Sequence, residues 1–250
     1  MKKAIFSRFF LKKILKTDTL GKEIFYFKNI HSTNKFLKEL PQKFHGAVCI
    51  SESQTEGRGR LGREFLSRKG GLYMSVLYKT QKDFDAGVIT SLAAVAVSRS
   101  IDQIYRVQTG IKWVNDIHLE NKKICGILCE KIDDFVVVGI GVNVQGKAFP
   151  EDLKNIADNL YNLTGKKAKI QRVAAVILGD LEAVLREENL KNHIEILREK
   201  SVVLGKEILV LKQGESYCAK AIDILENGSL LIEKEGEKEI LNFGEISLKI

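Results

Sequence analysis

The sequence lacks any apolar run long enough to cross a bilayer, which takes about 20 consecutive apolar residues. The apolar stretch from Leu92 to Val97 is bounded by Ser91 and by Ser98-Arg99. A signal peptide is not expected either, because charges interrupt the apolar residues near the N-terminus and no small-residue cleavage site follows. We therefore expect no membrane span.

Cysteine is scarce, and the four cysteines show no paired spacing of the kind that holds a metal. Three of them lie in apolar runs, so we expect buried, reduced thiols and a cytoplasmic protein. The four are Cys49, Cys125, Cys129 and Cys218.

The composition of the 250 residues, 44% hydrophobic and 29% charged, is that of an ordinary globular protein with a substantial core. The net charge of +8 favours an anionic partner, such as a nucleic acid, a nucleotide or an acidic carrier protein, but cannot choose among them. The first 16 residues are typical of a basic amphipathic helix, which we expect to pack on its own domain. A helix lying on acidic lipid is the alternative.

The pattern of apolar residues predicts a protein that contains both helices and short strands. We expect a basic N-terminal extension over 1–22, a main domain over 23–203 and a small all-β barrel over 204–250, the last from alternating strands and turns at 213–214, 227–228 and 235–236. The predicted strands of the main domain are 23–28, 47–50, 72–77, 111–113, 117–119, 123–129 and 135–142. One predicted helix begins at 32–34, and three more cover 86–107, 151–163 and 171–200.

A polar loop of about twenty residues, 51–71, is the first place to look for chemistry, because loops of this length in compact domains are usually functional or disordered. It contains Gly57-Arg58-Gly59-Arg60-Leu61-Gly62-Arg63, where glycines let backbone amides approach an anion and arginines add donors that match phosphate and carboxylate oxygens. The loop lacks the Gly-Lys-Ser/Thr of nucleoside-triphosphate loops. A solvated basic loop or a nucleic-acid contact remains open for this segment alone.

Three later stretches place polar groups at the ends of apolar strands. Lys112-Trp113-Val114-Asn115-Asp116 groups a cation, a ring, an amide and a carboxylate, although a buried tryptophan beside a surface ion pair explains this stretch better when it is taken alone. Lys123 opens the apolar strand 123–130, where burial is costly unless an anion pairs with it. The strand 138–143 has two glycines that leave room for a ligand.

Taken together and in this order, these stretches resemble the biotin protein ligases over roughly residues 23–200, and the C-terminal barrel resembles theirs too. Ser32-Thr33-Asn34, Gln54 and Gly71 to Ser75 complete the series. The resemblance implies an α+β fold: a class II synthetase-like catalytic domain of the biotin/lipoate ligase type, in which helices flank a mixed β-sheet, and an SH3-like C-terminal domain. It also implies that biotin is activated by ATP as biotinyl-5'-AMP and transferred to a lysine of a biotin carboxyl carrier protein, such as that of acetyl-CoA carboxylase, with Mg²⁺ expected beside ATP.

The resemblance also implies roles for individual residues. Arg58, Lys112, Asp116 and Lys123 are the expected catalytic residues. The expected biotin-binding residues are Ser32, Thr33, Asn34, Gln54, Arg58, Gly59, Arg60, Lys123, Gly126, Gly139 and Ile140. The expected ATP- and AMP-binding residues are Arg58, Arg60, Arg63, Phe65, Lys112, Asn115, Lys123 and Asn143. The metal ligands stay unassigned, with Asn115, Asp116 and Asn143 as candidates.

The chain departs from the family pattern at three positions. Phe65 stands where a tryptophan usually stacks on adenine, Arg68 where proline is common, and Val114 where proline is usual. A phenylalanine offers less stacking area, so we expect weaker ATP binding.

Partners and rival functions follow from the same comparison. Some family members carry an N-terminal helix-turn-helix domain and repress the biotin operon, but we expect no specific DNA binding here because the residues before Ile24 are too few for that domain. A homodimer is expected because the family often forms one. The rivals are a lipoate or octanoate transfer enzyme of the same fold and a DNA-binding regulator.

Overall fold

The computed structural model describes residues 8–80, 86–187, 190–212, 215–242 and 245–248. In these ranges the chain forms one seven-stranded mixed sheet and one five-stranded antiparallel sheet, with helices packed on the first. The α+β fold with a mixed sheet is therefore confirmed. No helix in the described ranges has the length and apolar character that crossing a membrane requires.

The large sheet is built from strands that lie between Ile24 and Val142. They are β1 (Ile24–Phe27), β2 (Val48–Ser51), β3 (Leu72–Lys79), β4 (Gly110–Lys112), β5 (Asp116–Leu119), β6 (Lys122–Ile132) and β7 (Phe135–Val142). Their order across the sheet is β1-β2-β3-β7-β6-β5-β4. Strands β1 and β2 run parallel and the other neighbours run antiparallel.

Helices cover the two faces of this sheet unequally. They are α1 (Arg8–Ile14), α2 (Thr33–Lys38), α3 (Ala86–Tyr105), α4 (Leu160–Thr164), α5 (Ile170–Arg186) and α6 (Lys191–Glu199). The long helices α3 and α5 form the main hydrophobic core with one face. On the other face, α2 covers only a small cluster around Leu37 and Val137. The rest of that face is therefore available for a ligand.

The N-terminal helix α1 packs on its own domain, as expected for its described part; residues 1–7 lie outside the described ranges. Leu11 is fully buried against the core. The following segment is held by Glu182 of α5, which accepts hydrogen bonds from the amides of Asp18, Thr19 and Leu20. Burial alone would raise the pKa of Glu182, but these bonds and one from the Thr19 hydroxyl outweigh it and lower the pKa to about 2.

The second sheet contains β8 (Glu207–Lys212), β9 (Glu215–Ile224), β10 (Leu230–Lys234), β11 (Glu237–Leu241) and β12 (Glu245–Leu248), in the order β11-β10-β9-β8-β12. The turns predicted at 227–228 and 235–236 are present, with left-handed Gly228 and Gly236. The turn predicted at 213–214 lies outside the described residues. Trp113 Nε1 donates to Gly228 O at 2.9 Å, which joins this sheet to the main domain.

Two predicted helices are wrong in their bounds. The segment 151–157 forms turns, because its backbone pairs with β6: Lys123 N donates to Ile156 O at 2.8 Å. The helix α4 then starts late, where the Asn159 side chain accepts from Asn162 N. The predicted helix 171–200 is two helices, since the backbone is extended at Glu187.

The expected burial of the cysteines is right for two of them. Cys49 and Cys125 are buried, and burial raises the pKa of both thiols. Cys129 is half-buried and Cys218 is exposed. Cys218 lies in β9 of the small sheet, where alternation directs every second side chain outward. All four are free thiols.

Candidate active site

Three glycines leave room on the face of the large sheet that lies opposite α3 and α5. Strand alternation puts Gly139 and Gly141 of β7 on this face, and Gly126 of β6 pairs with Gly141. A Cβ at Gly139 would come within 2.2 Å of Asn34 Oδ1, and one at Gly141 within 2.5 Å of the Phe65 ring. Glycine therefore lets these two side chains rest directly on the sheet.

The start of α2 supplies the polar end of the site. Ser32 is the N-cap, and its hydroxyl accepts from Lys35 N at 3.4 Å. Thr33 N and Thr33 Oγ1 donate to Gln54 Oε1 at 2.8 and 3.0 Å, which ties the helix to the long loop. Gln54 Nε2 in turn donates to Ser67 Oγ at 2.9 Å. Ser32 lies here because the helix that follows β1 needs a capping side chain at its N-terminus.

The same network continues along β3 and β6. Ser75 Oγ lies 2.7 Å from Thr33 Oγ1 and 2.6 Å from Asn34 Oδ1. Asn34 Nδ2 donates to Leu128 O at 3.2 Å and to Glu130 Oε2 at 2.7 Å. We call Ser32, Thr33, Asn34, Gln54, Ser75 and Glu130 the polar pocket. Its first three residues are at most 7% exposed and already hydrogen-bonded, so their polar groups are fixed before any ligand binds.

A compact ion pair lies beyond the polar pocket. Lys123 Nζ is 2.7 Å from Asp116 Oδ1, and the two side chains are only 26% and 18% exposed. Asn115 Nδ2 also donates to Asp116 Oδ1 at 3.0 Å, and Arg60 Nη1 donates to Asn115 Oδ1 at 3.4 Å. The sequence predicted that Lys123 needs an anionic partner and suggested a ligand. The protein itself supplies that anion in Asp116, and a ligand anion would join or displace it.

The arginine loop, Gly57 to Arg63, covers the cavity as a narrow hairpin. Gly59 N donates to Arg63 O at 2.7 Å, and Phe65 N donates to Gly57 O at 2.9 Å. The tip is a single 3₁₀ turn, Arg60–Gly62. The Arg58 side chain is 66% exposed, and its Nη2 lies 3.7 Å from Glu56 Oε2. The loop thus brings cations to the cavity without burying them.

These elements enclose one cavity of about 550 Å³. Seven cationic and four carboxylate side chains line it, so it suits an anion. Every predicted site residue except Asn143 lines it, namely Ser32, Thr33, Asn34, Gln54, Arg58, Gly59, Arg60, Arg63, Phe65, Lys112, Asn115, Asp116, Lys123, Gly126, Gly139 and Ile140. Ile140 belongs to the helix-side core, so its main chain faces the cavity more than its side chain does.

His118 is a cavity residue with a strongly shifted titration. Burial is the main cause that lowers its pKa to about 4; the Asp116 charge opposes this shift, and Lys112 and Lys123 reinforce it. Its imidazole is therefore neutral at neutral pH and adds no charge to the cluster around Lys123.

The chain can be compared with known proteins on this basis. Residues 26–145 match the Biotin/lipoate A/B protein ligase family, and residues 203–249 match the Biotin protein ligase C terminal domain. The chain is 34% identical over 241 residues to the bifunctional ligase/repressor BirA of Bacillus subtilis. The matched region covers 90% of this chain and 74% of that protein. It is 31% identical over 210 residues to the biotin–[acetyl-CoA-carboxylase] ligase of Mycobacterium tuberculosis, or 80% of this chain and 78% of that one.

A solved structure agrees with these sequence matches. The biotin protein ligase from Aquifex aeolicus, in complex with biotin and ATP, superimposes with a TM-score of 0.84 at 32% identity, over 91% of this chain and 99% of that chain. The chain belongs to the biotin protein ligase family. Its fold prediction and its assignment as a ligase are confirmed.

The structure adds cavity residues that the sequence did not reveal. Lys38 and Glu130 line the cavity as an ion pair with Nζ and Oε1 2.6 Å apart, and Ile156 reaches it from the turns after Pro150. The signal for Glu130 was its place at the end of the strand 123–130, which the family motif includes. Ile156 could not be predicted as a cavity residue, because we expected a helix over 151–163, whereas the backbone at Ile156 pairs with β6.

Asn143 and the three departures from the family pattern lie around this cavity. Asn143 is 7% exposed and lines a separate small pocket together with Arg68, while its Nδ2 donates to Lys123 O at 3.4 Å. It therefore touches the backbone that carries Lys123 rather than the cavity itself. Phe65 lies on the floor with Lys123 Nζ 5.8 Å from its ring centroid. Val114, which follows a cis peptide bond, is buried.

Proposed function

We propose that this ligase condenses biotin with ATP to form biotinyl-5'-AMP and then transfers the biotinyl group to a lysine of a carboxylase biotin carrier protein. We also propose a role for each cavity residue in these two steps. The observation that carries the proposal is that one cavity holds both a buried polar pocket and a cluster of cations. A ureido ring needs the first, and a carboxylate and phosphates need the second.

The polar pocket would bind the ureido ring of biotin. The Ser32 hydroxyl already accepts from Lys35 N, so its own proton is available for the ureido oxygen. Thr33 Oγ1 gives its proton to Gln54, so a lone pair is available for a ureido N–H. A carboxylic acid that lacks the ureido oxygen and N–H groups would leave buried polar groups of the pocket unpaired, which can lower the specificity for that acid by a factor of about 10⁴.

The valeryl chain of biotin would lie along the sheet floor toward Lys123. Gly126 and Gly139 open that floor, and the main chain at Ile140 completes it. Gly59 and Arg60 would cover the chain from the arginine loop. This path brings the carboxylate from the polar pocket to the ion pair of Lys123 and Asp116.

The first step forms a bond between a biotin carboxylate oxygen and the α-phosphorus of ATP, and pyrophosphate leaves with the electron pair of the broken P–O bond. Lys123 would bind the carboxylate and the α-phosphate, and Arg58 and Lys112 would neutralise the charge that builds up. One preorganised donor of this kind contributes about 3–4 kcal/mol to such steps. Asp116 holds Lys123 in place and flanks the reacting centre.

The second step forms an amide bond between the carrier lysine nitrogen and the biotinyl carbonyl carbon. The carbonyl–phosphate bond breaks, AMP leaves with its electron pair, and the amine gives up its proton to water. Arg60, Arg63 and Asn115 would bind the AMP, with Phe65 stacking on the adenine. The arginine loop would shield the mixed anhydride from hydrolysis until the carrier arrives. Asn143 would act on this site only through the Lys123 backbone.

Magnesium would bind mainly to the phosphates. No group of three or more His, Cys, Asp or Glu side chains in the described part of the chain could hold a metal, but Mg²⁺ usually needs only one or two carboxylates beside phosphate and water. Asp116 could supply one such oxygen, and Mg²⁺ would neutralise phosphate charge.

The remaining expectations about partners are part of the proposal. A cytoplasmic location agrees with four free thiols. The absence of specific DNA binding agrees with a helix α1 that packs on its own domain. A homodimer is proposed from the family alone, and sedimentation of the full chain would test it.

The test is exchange of labelled pyrophosphate into ATP, with biotin and with lipoate as the acid. We expect exchange with biotin and none with lipoate. Exchange with lipoate but not with biotin would overturn the proposal in favour of the lipoate enzymes.

A further inference from the structure

Glu130, the outermost residue of the polar pocket, forms an ion pair with Lys38, a residue that no motif includes. Asn34 Nδ2 is 2.7 Å from Glu130 Oε2, and Lys38 Nζ is 2.6 Å from Glu130 Oε1. Glu130 lies on β6 and faces the cavity side, and Lys38 is the last residue of α2. The pair therefore ties the strand to the helix that carries the polar pocket.

The Glu130 carboxylate and the Leu128 carbonyl together fix which way the Asn34 amide points. Both groups only accept hydrogen bonds, so both must face the NH₂ group. The two protons of Asn34 Nδ2 are used by Glu130 Oε2 at 2.7 Å and by Leu128 O at 3.2 Å, and Asn34 Oδ1 is turned to Ser75. A glutamine in place of Glu130 could offer its own NH₂ group to a reversed Asn34 amide, and Leu128 O alone would then oppose the turnover.

The amide orientation matters one step further, at Thr33. The Ser75 hydroxyl has one proton and is within hydrogen-bond distance of both Thr33 Oγ1 and Asn34 Oδ1. With the amide oxygen toward Ser75, that proton is shared between Thr33 Oγ1 and Asn34 Oδ1. With the amide reversed, Ser75 would donate to Thr33 alone and fully occupy one of the two lone pairs of Thr33 Oγ1, which leaves a ligand N–H only the other.

We propose that Glu130, held by Lys38, is a positioning residue that fixes the Asn34 amide and thereby keeps Thr33 ready to accept a ureido N–H of biotin. The proposal rests on the proposed function, because it assumes that biotin binds in the polar pocket. It predicts an effect on biotin but not on ATP, since the pair is joined to the polar pocket and the residues assigned to ATP lie elsewhere in the cavity.

The experiment compares full-length wild type and Glu130→Gln by the biotin Kd, the biotin KM and the ATP KM. The biotin Kd and KM should rise about tenfold, which corresponds to about 1.4 kcal/mol, while the ATP KM and kcat stay within about twofold. Glu195→Gln, which removes the same charge from an exposed position of α6, should match wild type. An equal loss for biotin and ATP would mean that Glu130 is merely structural.

A double-mutant cycle with Asn34→Ala tests the route. If Glu130 acts through Asn34, Glu130→Gln should weaken biotin binding no further in the Asn34→Ala background, and additive losses would overturn the proposal. Lys38→Gln, which leaves the bond between Glu130 and Asn34 in place, should raise the biotin Kd by about threefold to fivefold and leave the ATP KM within about twofold. Because Lys38 is partly exposed, this change keeps the test decisive if Glu130→Gln folds poorly: a biotin Kd within about twofold of wild type in Lys38→Gln would contradict the role of the pair. A wild type that binds no biotin would refute the proposed function, whereas unchanged biotin binding in Glu130→Gln would refute only this inference.

Discussion

The polar pocket and the arginine loop face the same cavity with opposite structures. In the polar pocket, buried side chains are hydrogen-bonded to one another across α2, β3 and β6 before any ligand arrives. In the arginine loop, Arg58 and Leu61 are 66% and 75% exposed. This difference shows that recognition and protection have different requirements. Fixed donors and acceptors are best suited to recognise a ureido ring, whereas a covering loop must open to admit ATP and the carrier lysine.

Removing Lys123 should have the largest effect, because the lysine lies where the two regions meet. Lys123→Ala should lower the rate of biotinyl-AMP formation by about 10²-fold or more. Its neighbour Lys122 donates to Lys154 O on the surface, so Lys122→Ala should stay within about twofold of wild type. Pyrophosphate exchange measures both, and equal rates for the two variants would remove Lys123 from the mechanism.

Gly139→Ala should break the polar pocket without touching the arginine loop. The added methyl would lie 2.2 Å from Asn34 Oδ1, so Asn34 must move and its bonds to Ser75 and Glu130 must change. We expect the biotin Kd, measured by calorimetry, to rise about 10- to 100-fold. Gly179→Ala, in an open position of α5, should leave the Kd unchanged. Normal biotin binding by Gly139→Ala would show that the polar pocket is adaptable.

His118 should make the cavity wall sensitive to acid. The unfolded chain takes up a proton near pH 6.5, but the folded chain resists it down to about pH 4, so stability falls as the pH drops through this window. The loss from this one group should be about 1–3 kcal/mol. His118→Phe should flatten the dependence of the free energy of unfolding on pH between these values, and an unchanged slope would place the titration elsewhere.

Arg58→Ala should weaken the cover and spare the polar pocket. We expect biotinyl-AMP to leave about fivefold faster, because an exposed charge contributes roughly 1 kcal/mol to retention, while the biotin Kd changes little. Release of labelled adenylate at low and high salt measures this. Unchanged retention and turnover would contradict the role given to Arg58.

Phe65→Trp should give the smallest effect. The ring rests on the floor at Gly126 and Gly141, and a larger ring adds stacking area for adenine. The ATP Kd should fall by about two- to fivefold, with the biotin Kd unchanged. A tryptophan that does not tighten ATP binding would count against stacking at this position.

Local signals explain which parts of this molecule could be predicted from its sequence. Ser32-Thr33-Asn34 predicted the start of α2 because capping chemistry is local. The strands of the large sheet followed from their apolar patterns. The turns at 151–157 could not be predicted, because a contact with β6 distant in sequence decides them. The hydrogen bond from Asn34 to Glu130 joins residues 96 positions apart, and no spacing rule reports it.

Amide hydrogen exchange of the full chain tests the contrast between the two regions most directly, when it is measured without ligand, with biotin, and with biotin and ATP. Amides of α2, β3 and β6 around the polar pocket should be protected in all three states. Those of the arginine loop should exchange fast in the free protein and slow by at least about tenfold when biotin and ATP are both present. A loop that is already protected without ligand, or a polar pocket that gains its protection only with biotin, would contradict this account.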